Sequence, residues 1–308
     1  MKGLGRLLFG PYRSRQSSRG AKTYAARLDS QLAGFNARFG GSSGAGAGGT
    51  PLTDSPIFLL SAGWRSGSTL LQRMVMAENP AVIIWGEPYD LALPIQGLAD
   101  QLRPFSEAWP RARGFAGAGG EDFSNAWVAN LYPPAEAFRA AHLAYLEALF
   151  AAPAEALGRS RWGLKEVRFG ADEVRYLRWL YPRARFVFLV RDPLNAYRSY
   201  RQKLTWYARW PHRMVATPYG FGVHWRRLSR DFLEVQSQGV GLLLRYEELG
   251  EDATVSRLSD YLGWPVPRPQ SMAKITGLAN KDEVRLGTVE AAILRRGAGR
   301  IASEFGYG

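Results

Sequence analysis

The sequence predicts an α/β protein, with a doubly wound parallel sheet flanked by helices in a single domain. From about residue 50 onward, strand-like apolar runs alternate with helical patterns, which is typical of βαβ units. Residues 186–190 read Phe-Val-Phe-Leu-Val and are apolar at every position, as expected of a strand covered on both faces. The first strand leads into a glycine-containing turn and then an apolar helix. In such a sheet, a ligand binds beyond the carboxyl ends of the strands.

The pattern predicts the following elements in chain order. The strands are residues 57–61, 82–85, 162–165, 186–190 and 241–244. The helices are residues 68–77, 135–151, 171–180, 194–209, 222–237 and 254–262. Between them, residues 104–125 are rich in Gly, Ala and Arg and are predicted to form a surface loop or lid.

Residues 1–50 are predicted to form a basic, flexible segment ahead of a domain that spans residues 51–308. The stretch 40–50 consists of Gly, Ser and Ala with one Thr, which is the composition of a flexible linker. The start of the chain has too short an apolar stretch for a signal peptide, and no run approaches the roughly 18 apolar residues that cross a bilayer. We therefore expect a cytoplasmic protein. The basic start is either a disordered tail or a weak contact with an anionic membrane surface.

The charge balance favours anionic partners. The 308 residues include 40 Lys and Arg against 27 Asp and Glu, which gives a formal net charge of +13. Most of the cations are arginines, as suits bidentate binding of phosphate or sulfate, although a GC-rich genome has the same effect on composition. The chain has no cysteine, which excludes disulfides, thiolate nucleophiles and cysteine-ligated metals.

The turn after the first strand has the plan of a phosphate cradle. It reads Gly63-Trp64-Arg65-Ser66-Gly67-Ser68-Thr69. Glycines allow a tight turn, and the helix that follows presents its positive end to an anion. The nucleoside triphosphate loop is G-x-x-x-x-G-K-[ST], whereas here the glycines are one residue closer, no lysine follows, and an arginine lies inside. The sheet is thus P-loop-like, but its loop suits a nucleotide-like anion better than magnesium-dependent phosphoryl transfer.

A second anion motif follows the strand at 186–190. Arg191 stands at the strand end, Asp192 and Pro193 begin a helix, and Ser199 lies about two turns into it. An arginine and a serine placed in this way can converge on one phosphate. Taken alone, the pattern is equally compatible with a structural ion pair and a helix cap.

Together, the two motifs resemble the paired phosphate-binding signatures of sulfotransferases that use 3′-phosphoadenosine 5′-phosphosulfate (PAPS). In that family a loop of the form R-S-G-[ST]-T holds the 5′-phosphosulfate. A strand ending in R-D-P, with a serine eight residues after the arginine, holds the 3′-phosphate. The resemblance implies that PAPS is bound by Arg65, Ser66, Gly67, Ser68, Thr69, Arg191 and Ser199.

Three further segments extend this resemblance over roughly residues 55–265. Glu87, in Gly-Glu-Pro, looks like the family's glutamate general base. Lys165, in Gly-Leu-Lys-Glu, is similar to a lysine that lies near the transferred sulfate. Tyr246 belongs to a stretch that resembles the family's R-Y-E-[DE]-L segment, which implies a role in PAPS binding.

The resemblance implies in-line transfer of a sulfuryl group to a hydroxyl or amine acceptor, without a metal. The catalytic residues would be Glu87, Lys165 and Arg65. Two departures from the family pattern lie close to them. Trp64 replaces a proline that is common in related loops, so it either stacks on adenine or packs. Glu166 follows Lys165 where tyrosylprotein members have Asp-Pro.

The three histidines offer a second choice for the base. His212 and His224 belong to an aromatic stretch, residues 206–225, and either could take the acceptor proton. The stretch itself either stacks on a sugar or aromatic acceptor or forms a packed helix pair. His142 lies among apolar neighbours in a predicted helix and is interpreted as structural.

Three other functions compete with an active sulfotransferase. A P-loop kinase or NTPase is disfavoured because the loop has no lysine, and a nucleic-acid-binding module is disfavoured because several arginines belong to the anion motifs. A sulfotransferase-like protein that binds nucleotide without catalysis stays open. For the acceptor, carbohydrate ranks ahead of protein tyrosine, lipid and small metabolites, because the chain carries 10 Trp and 14 Tyr.

Overall fold

A computed structural model of the chain contains one five-stranded parallel sheet. The structure describes residues 54–87, 94–102, 135–201, 217–271 and 285–307, with the single residues 129, 133 and 215. The strands are β1 (Ile57–Ser61), β2 (Val82–Trp85), β3 (Arg161–Glu166), β4 (Arg185–Val190) and β5 (Leu242–Arg245). Their order is β2-β3-β1-β4-β5, and every neighbouring pair is parallel. The predicted α/β class with a doubly wound parallel sheet is therefore confirmed.

Helices connect the strands and cover both faces of the sheet. They are α1 (Ser68–Ala77), α2 (Pro94–Asp100), α3 (Ala135–Leu146), α4 (Ala152–Ala156), α5 (Ala171–Leu180), α6 (Pro193–Arg201), α7 (Pro218–Ser237), α8 (Asp252–Leu262), α9 (Thr288–Ala298) and α10 (Ile301–Glu304). A π-helical turn, Glu147–Ala151, joins α3 to α4, and short 3₁₀ turns lie at Tyr246–Glu248 and Pro269–Ser271. Within the described ranges, no helix is both long and apolar enough to cross a bilayer.

The predicted strands agree closely with the observed strands, whereas the predicted helices agree less well with the observed helices. Helix α7 begins at Pro218 rather than at residue 222, because Thr217 caps it by accepting a hydrogen bond from the Gly220 N–H at 3.0 Å and proline fits the first turn. Helices α2, α4, α9 and α10 were not predicted. The predicted flexible segment 1–50 and the predicted loop 104–125 lie outside the described residues, as do residues 202–209 of the helix predicted at 194–209.

Alternating residues of the central strands fill two separate cores. Phe58 and Leu60 of β1 point to the face covered by α5 and α7. Ile57 and Leu59 point to the other face, covered by α1 and α8. All of these side chains are fully buried. The continuous apolar runs in the sequence follow from this two-sided burial.

Two glycines let α7 and α9 cross at close range. A Cβ atom on Gly222 would lie 2.6 Å from the carbonyl oxygen of Leu294, and one on Gly297 would lie 2.6 Å from that of Tyr219. Helix α9 also contacts α6, through an ion pair between Arg201 and Glu290. Through these contacts α7 and α9 support the helix that carries the second anion motif.

Candidate functional site

The candidate site lies at one edge of the sheet, where parallel strands end. The loop at residues 63–67 follows β1, and Glu87 follows β2. Lys165 is the penultimate residue of β3, and Arg191 follows β4 directly. Because the carboxyl ends of parallel strands meet at the same edge, residues far apart in sequence gather there.

The loop after β1 has a left-handed backbone at three positions. The φ angles are +89° at Gly63, +64° at Arg65 and +94° at Gly67. Arg65 is the sole non-glycine residue with positive φ in the part of the chain that the structure describes. The Ser66 hydroxyl donates a hydrogen bond to the Gly63 carbonyl oxygen at 2.9 Å and so closes the turn.

Gly67 then caps α1, whose first turn carries Ser68 and Thr69. The first N–H groups of a helix have no acceptor within the helix, and the helix dipole makes this end positive. The Ser68 side chain is largely buried, whereas Thr69 is exposed. The end of α1 is thus arranged to receive an anion.

The two anion motifs meet at Arg65. Its Nε atom donates a hydrogen bond to the Ser199 hydroxyl at 3.0 Å, although 134 positions separate the two residues. Its carbonyl oxygen accepts a hydrogen bond from Nη1 of Arg191 at 2.9 Å. The structure therefore places the loop after β1 in a single site with Arg191 and with Ser199 of α6.

Tyr246 contacts both motifs. The guanidinium carbon of Arg191 lies 4.3 Å from the centroid of the Tyr246 ring, which is within the range of a cation–π contact. The other contact is with Gly67, where an added Cβ atom would lie 2.2 Å from Cδ2 of the ring. Only glycine leaves room for the ring at this position. Tyr246 therefore holds Arg191 beside the N-terminus of α1.

Glu87 and Lys165 form an ion pair at the ends of β2 and β3. The Lys165 ammonium lies 2.6 Å from Oε1 of Glu87. The two side chains are only 18% and 9% exposed, respectively, so the pair is well shielded from solvent. The structure thus brings together two of the three residues that were predicted to be catalytic.

Glu166 points to the opposite face of β3 and belongs to the protein interior. Its carboxylate accepts hydrogen bonds from Nε of Arg168 at 2.8 Å and from Nη2 at 2.5 Å. Burial raises the pKa of the Glu166 carboxyl, while the Arg168 guanidinium acts in the opposite direction. Because successive side chains alternate across a strand, this departure from the family pattern leaves Lys165 in place.

Trp64 packs beneath the loop. Its side chain is 4% exposed, and its ring stacks on His224 with centroids 5.0 Å apart. Tyr200 lies on it as well, at 6.1 Å. Of the two alternatives for Trp64, the structure shows packing.

The histidines occupy different environments. His224 lies against the loop, where a Cβ atom on Gly63 would be 3.4 Å from its Cδ2 atom. His142 is buried, and its Nδ1 atom lies 2.7 Å from the Tyr176 hydroxyl. Burial lowers the pKa of His142, as expected of a core histidine. His212 lies outside the described residues.

Comparison with known proteins identifies the class of protein that this fold and these motifs define. Residues 56–268 match the model of the Sulfotransferase family. The chain belongs to this family, which generally takes its sulfuryl group from PAPS. The family predicted from the two anion motifs is confirmed. No protein with a curated description matches the sequence significantly.

Several solved structures are similar to the chain. The sulfotransferase domain of the olefin synthase from Synechococcus PCC 7002 is 18% identical, with a TM-score of 0.44, over 83% of this chain and 96% of that one. A sulfotransferase from Alicyclobacillus acidocaldarius is 14% identical, with a TM-score of 0.41, over 82% and 96%. Mouse sulfotransferase SULT7A1, solved with PAP, is 13% identical, with a TM-score of 0.38, over 91% and 84%.

Proposed function

We propose that this sulfotransferase binds PAPS across the two anion motifs and transfers its sulfuryl group to a hydroxyl or amine acceptor. The observation that carries the proposal is the double contact of Arg65, through its side chain with Ser199 and through its carbonyl oxygen with Arg191. One site with two anion-binding centres suits a nucleotide that carries phosphate groups at both its 5′ and 3′ ends.

The described residues fit the two ends of this nucleotide. At the 5′ end, the N-terminus of α1 offers backbone N–H groups and the hydroxyls of Ser68 and Thr69. At the 3′ end, Arg191 and Ser199 offer a guanidinium and a hydroxyl. Arg191 is partly exposed, and its Nε atom has no hydrogen-bond partner among the described residues. A planar guanidinium is well matched to phosphate oxygens.

The chemistry assigned to the site needs a base and a set of positive charges. Glu87 takes the proton of the acceptor while the acceptor atom forms its bond to sulfur and the bond from sulfur to the phosphate oxygen breaks. Arg65, Lys165 and the N-terminus of α1 stabilise the charge that develops on the departing phosphate. A bound sulfuryl group gives Lys165 a second anionic partner. The ion pair between Lys165 and the Glu87 carboxylate is then weaker.

Nucleotide binding tests the first half of the proposal. Isothermal titration calorimetry should detect binding of 3′-phosphoadenosine 5′-phosphate (PAP) to the protein. The variants Arg191→Ala and Ser199→Ala should bind it about 10- to 100-fold more weakly, since a lost hydrogen bond to a charged group costs about 1.5–3 kcal/mol. Arg178→Ala is the matched control, because Arg178 is an exposed residue of α5. Binding of ATP with Mg²⁺ but not of PAP would instead favour the kinase or NTPase alternative.

Sulfate transfer tests the second half. We propose carbohydrate as the first acceptor class, and this choice depends on the aromatic composition. Among the described aromatic residues of the 206–225 stretch, Phe221 and Trp225 are fully buried, whereas Tyr219 is exposed. Labelled PAPS should be offered to carbohydrates, tyrosine peptides, lipids and small hydroxylated metabolites. PAP binding without transfer to any of them would favour the non-catalytic alternative.

A further inference from the structure

Residues 305–307 contact the main chain next to Arg191, although they lie outside the residues that match the family model. The Tyr307 hydroxyl donates a hydrogen bond to Oε2 of Glu247 at 2.7 Å. It also lies 3.4 Å from the carbonyl oxygen of Val190, the residue that precedes Arg191. Tyr307 is 9% exposed, so this contact is shielded from water.

Glu247 connects Tyr307 to the other side of Arg191. Its second carboxylate oxygen, Oε1, accepts a hydrogen bond from the Asp192 N–H at 3.0 Å. The carbonyl oxygen of Arg191 itself accepts one from the Trp225 indole N–H at 2.9 Å. The two peptide groups that flank the Arg191 Cα atom are therefore both contacted by side chains from distant parts of the chain.

Aromatic packing joins these side chains into one unit. Trp225 meets Phe305 and Tyr307 edge-on, with ring centroids 6.1 and 6.3 Å apart. Phe305 and Tyr307 stack on each other at 6.2 Å. The Trp225 side chain is fully buried beneath them. Phe305, Tyr307 and Trp225 thus form one packed aromatic cluster.

The residues on either side of Tyr246 complete the connection. Arg245 donates a hydrogen bond from Nη1 to the Phe305 carbonyl oxygen at 2.7 Å, and its guanidinium lies 5.8 Å from the Tyr307 ring. Tyr246 contacts the side chain of Arg191, whereas Glu247 contacts the main chain beside it. Residues 245–247 therefore link the 305–307 segment to both the main chain and the side chain of Arg191.

We propose that Tyr307, acting through Glu247, is a positioning residue that fixes Arg191 and thereby sets the preference for a nucleotide with a 3′-phosphate over one without it. The inference rests on the proposed function, in which Arg191 binds that phosphate. Charge-assisted hydrogen bonds are directional, so a guanidinium held in place binds a phosphate better than a mobile one. Burial, reinforced by Glu247, raises the pKa of the Tyr307 hydroxyl, which keeps it a donor at neutral pH.

The test compares two nucleotides that differ only in the 3′-phosphate. Tyr307→Phe removes one hydroxyl, and Tyr145→Phe removes the same group from an exposed residue of α3 as the control. The affinities for PAP and for adenosine 5′-phosphate are measured by calorimetry. We expect Tyr307→Phe to weaken PAP binding about fivefold and to change adenosine 5′-phosphate binding by no more than about twofold. The KM for PAPS should rise while kcat at saturation stays unchanged.

Three outcomes overturn the inference: equal weakening of both nucleotides, an unchanged PAP affinity in folded Tyr307→Phe, or a lower melting temperature with an unchanged ratio of affinities. Glu247→Gln is the second variant. It replaces the carboxylate, which accepts hydrogen bonds from two donors, with an amide. It should lower the ratio of the affinity for PAP to the affinity for adenosine 5′-phosphate. Different results would contradict the proposed function itself. These are a wild-type protein that does not prefer PAP over adenosine 5′-phosphate, or an Arg191→Ala variant that keeps this preference.

Discussion

Arg65 connects the two anion motifs of the candidate site. Its left-handed backbone costs about 1–2 kcal/mol for a residue with a side chain. The same conformation directs its side chain to Ser199 and its carbonyl oxygen to Arg191. A charge-assisted hydrogen bond contributes an amount similar to this cost, so the two contacts are sufficient to hold the loop. Strain of this kind at a ligand-binding turn is compatible with a preorganised anion site.

A second point at the residue scale is the predicted role of Glu87 as the general base. Glu87→Gln keeps the shape of the side chain and an oxygen for Lys165 but cannot take up a proton at neutral pH. We expect PAP affinity to stay within about twofold of wild type and kcat to fall about 10²- to 10⁴-fold. Calorimetry and a labelled-sulfate assay measure the two quantities separately.

Glu78→Gln is the control for this experiment, because Glu78 is an exposed carboxylate just after α1. Unchanged turnover in Glu87→Gln would transfer the role of base to a histidine. His224, which lies against Gly63, would then be tested first and His212 second.

At the scale of elements, the position of Ser199 depends on the packing of three helices. Helix α6 carries Ser199 and contacts α9 through Glu290, which pairs with Arg201 and lies 3.5 Å from the Tyr197 hydroxyl. Helix α9 crosses α7 where Gly222 and Gly297 leave no room for side chains. The position of the second anion motif therefore depends on the α7–α9 crossing.

This crossing gives a prediction about stability. A Cβ atom on Gly222 would lie 2.6 Å from one backbone atom of α9 and 2.8 Å from another, so the helices must separate. We expect Gly222→Ala to lower the free energy of unfolding by about 1–3 kcal/mol, the usual cost of overpacking. Urea denaturation measures the change. In Gly287→Ala, at the start of α9, the new methyl group meets nothing within 4 Å, so a loss of similar size there would contradict the packing argument.

At the scale of the whole molecule, stability depends on pH through groups buried in the core. His142 is the clearest case, since burial lowers its pKa and its ring contacts Phe138 and Tyr176. Between this lowered pKa and the value near 6.5 of an unfolded chain, the unfolded state binds more protons than the folded state. Stability therefore rises with pH through this window and is lost as the pH falls below about 6.5.

The variant His142→Gln tests this direction of the pH dependence of stability, because glutamine keeps a polar partner for Tyr176 and does not titrate. Between pH 7.5 and 5.5 the wild-type protein should lose more stability than the variant, by up to about 1.4 kcal/mol per pH unit below 6.5. Between pH 7.5 and 8.5, where histidine is neutral in both states, the two curves should run parallel. Parallel curves across the whole range would show that His142 does not contribute.

The agreement between sequence and structure varies with the kind of feature. The strands could be predicted because two-sided burial leaves an apolar run at each of them. The sequence predicted the start of α7 at residue 222 instead of Pro218, because the amphipathic pattern is weak over the first turn of this helix. The domain boundary near residue 50, the cytoplasmic location, a weak membrane contact and the absence of a nucleic-acid partner stay predictions.

The sequence by itself determined the class of fold and the family, because apolar strands and short motifs at strand ends carry this information locally. Tertiary structure alone decided how the residues combine. The hydrogen bond from Arg65 to Ser199 spans 134 positions, the Trp64 ring faces the core, and Tyr307 reaches the main chain beside Arg191. Contacts of this kind depend on how distant elements pack, and no local pattern encodes the packing of a helix onto a strand end far away in the chain.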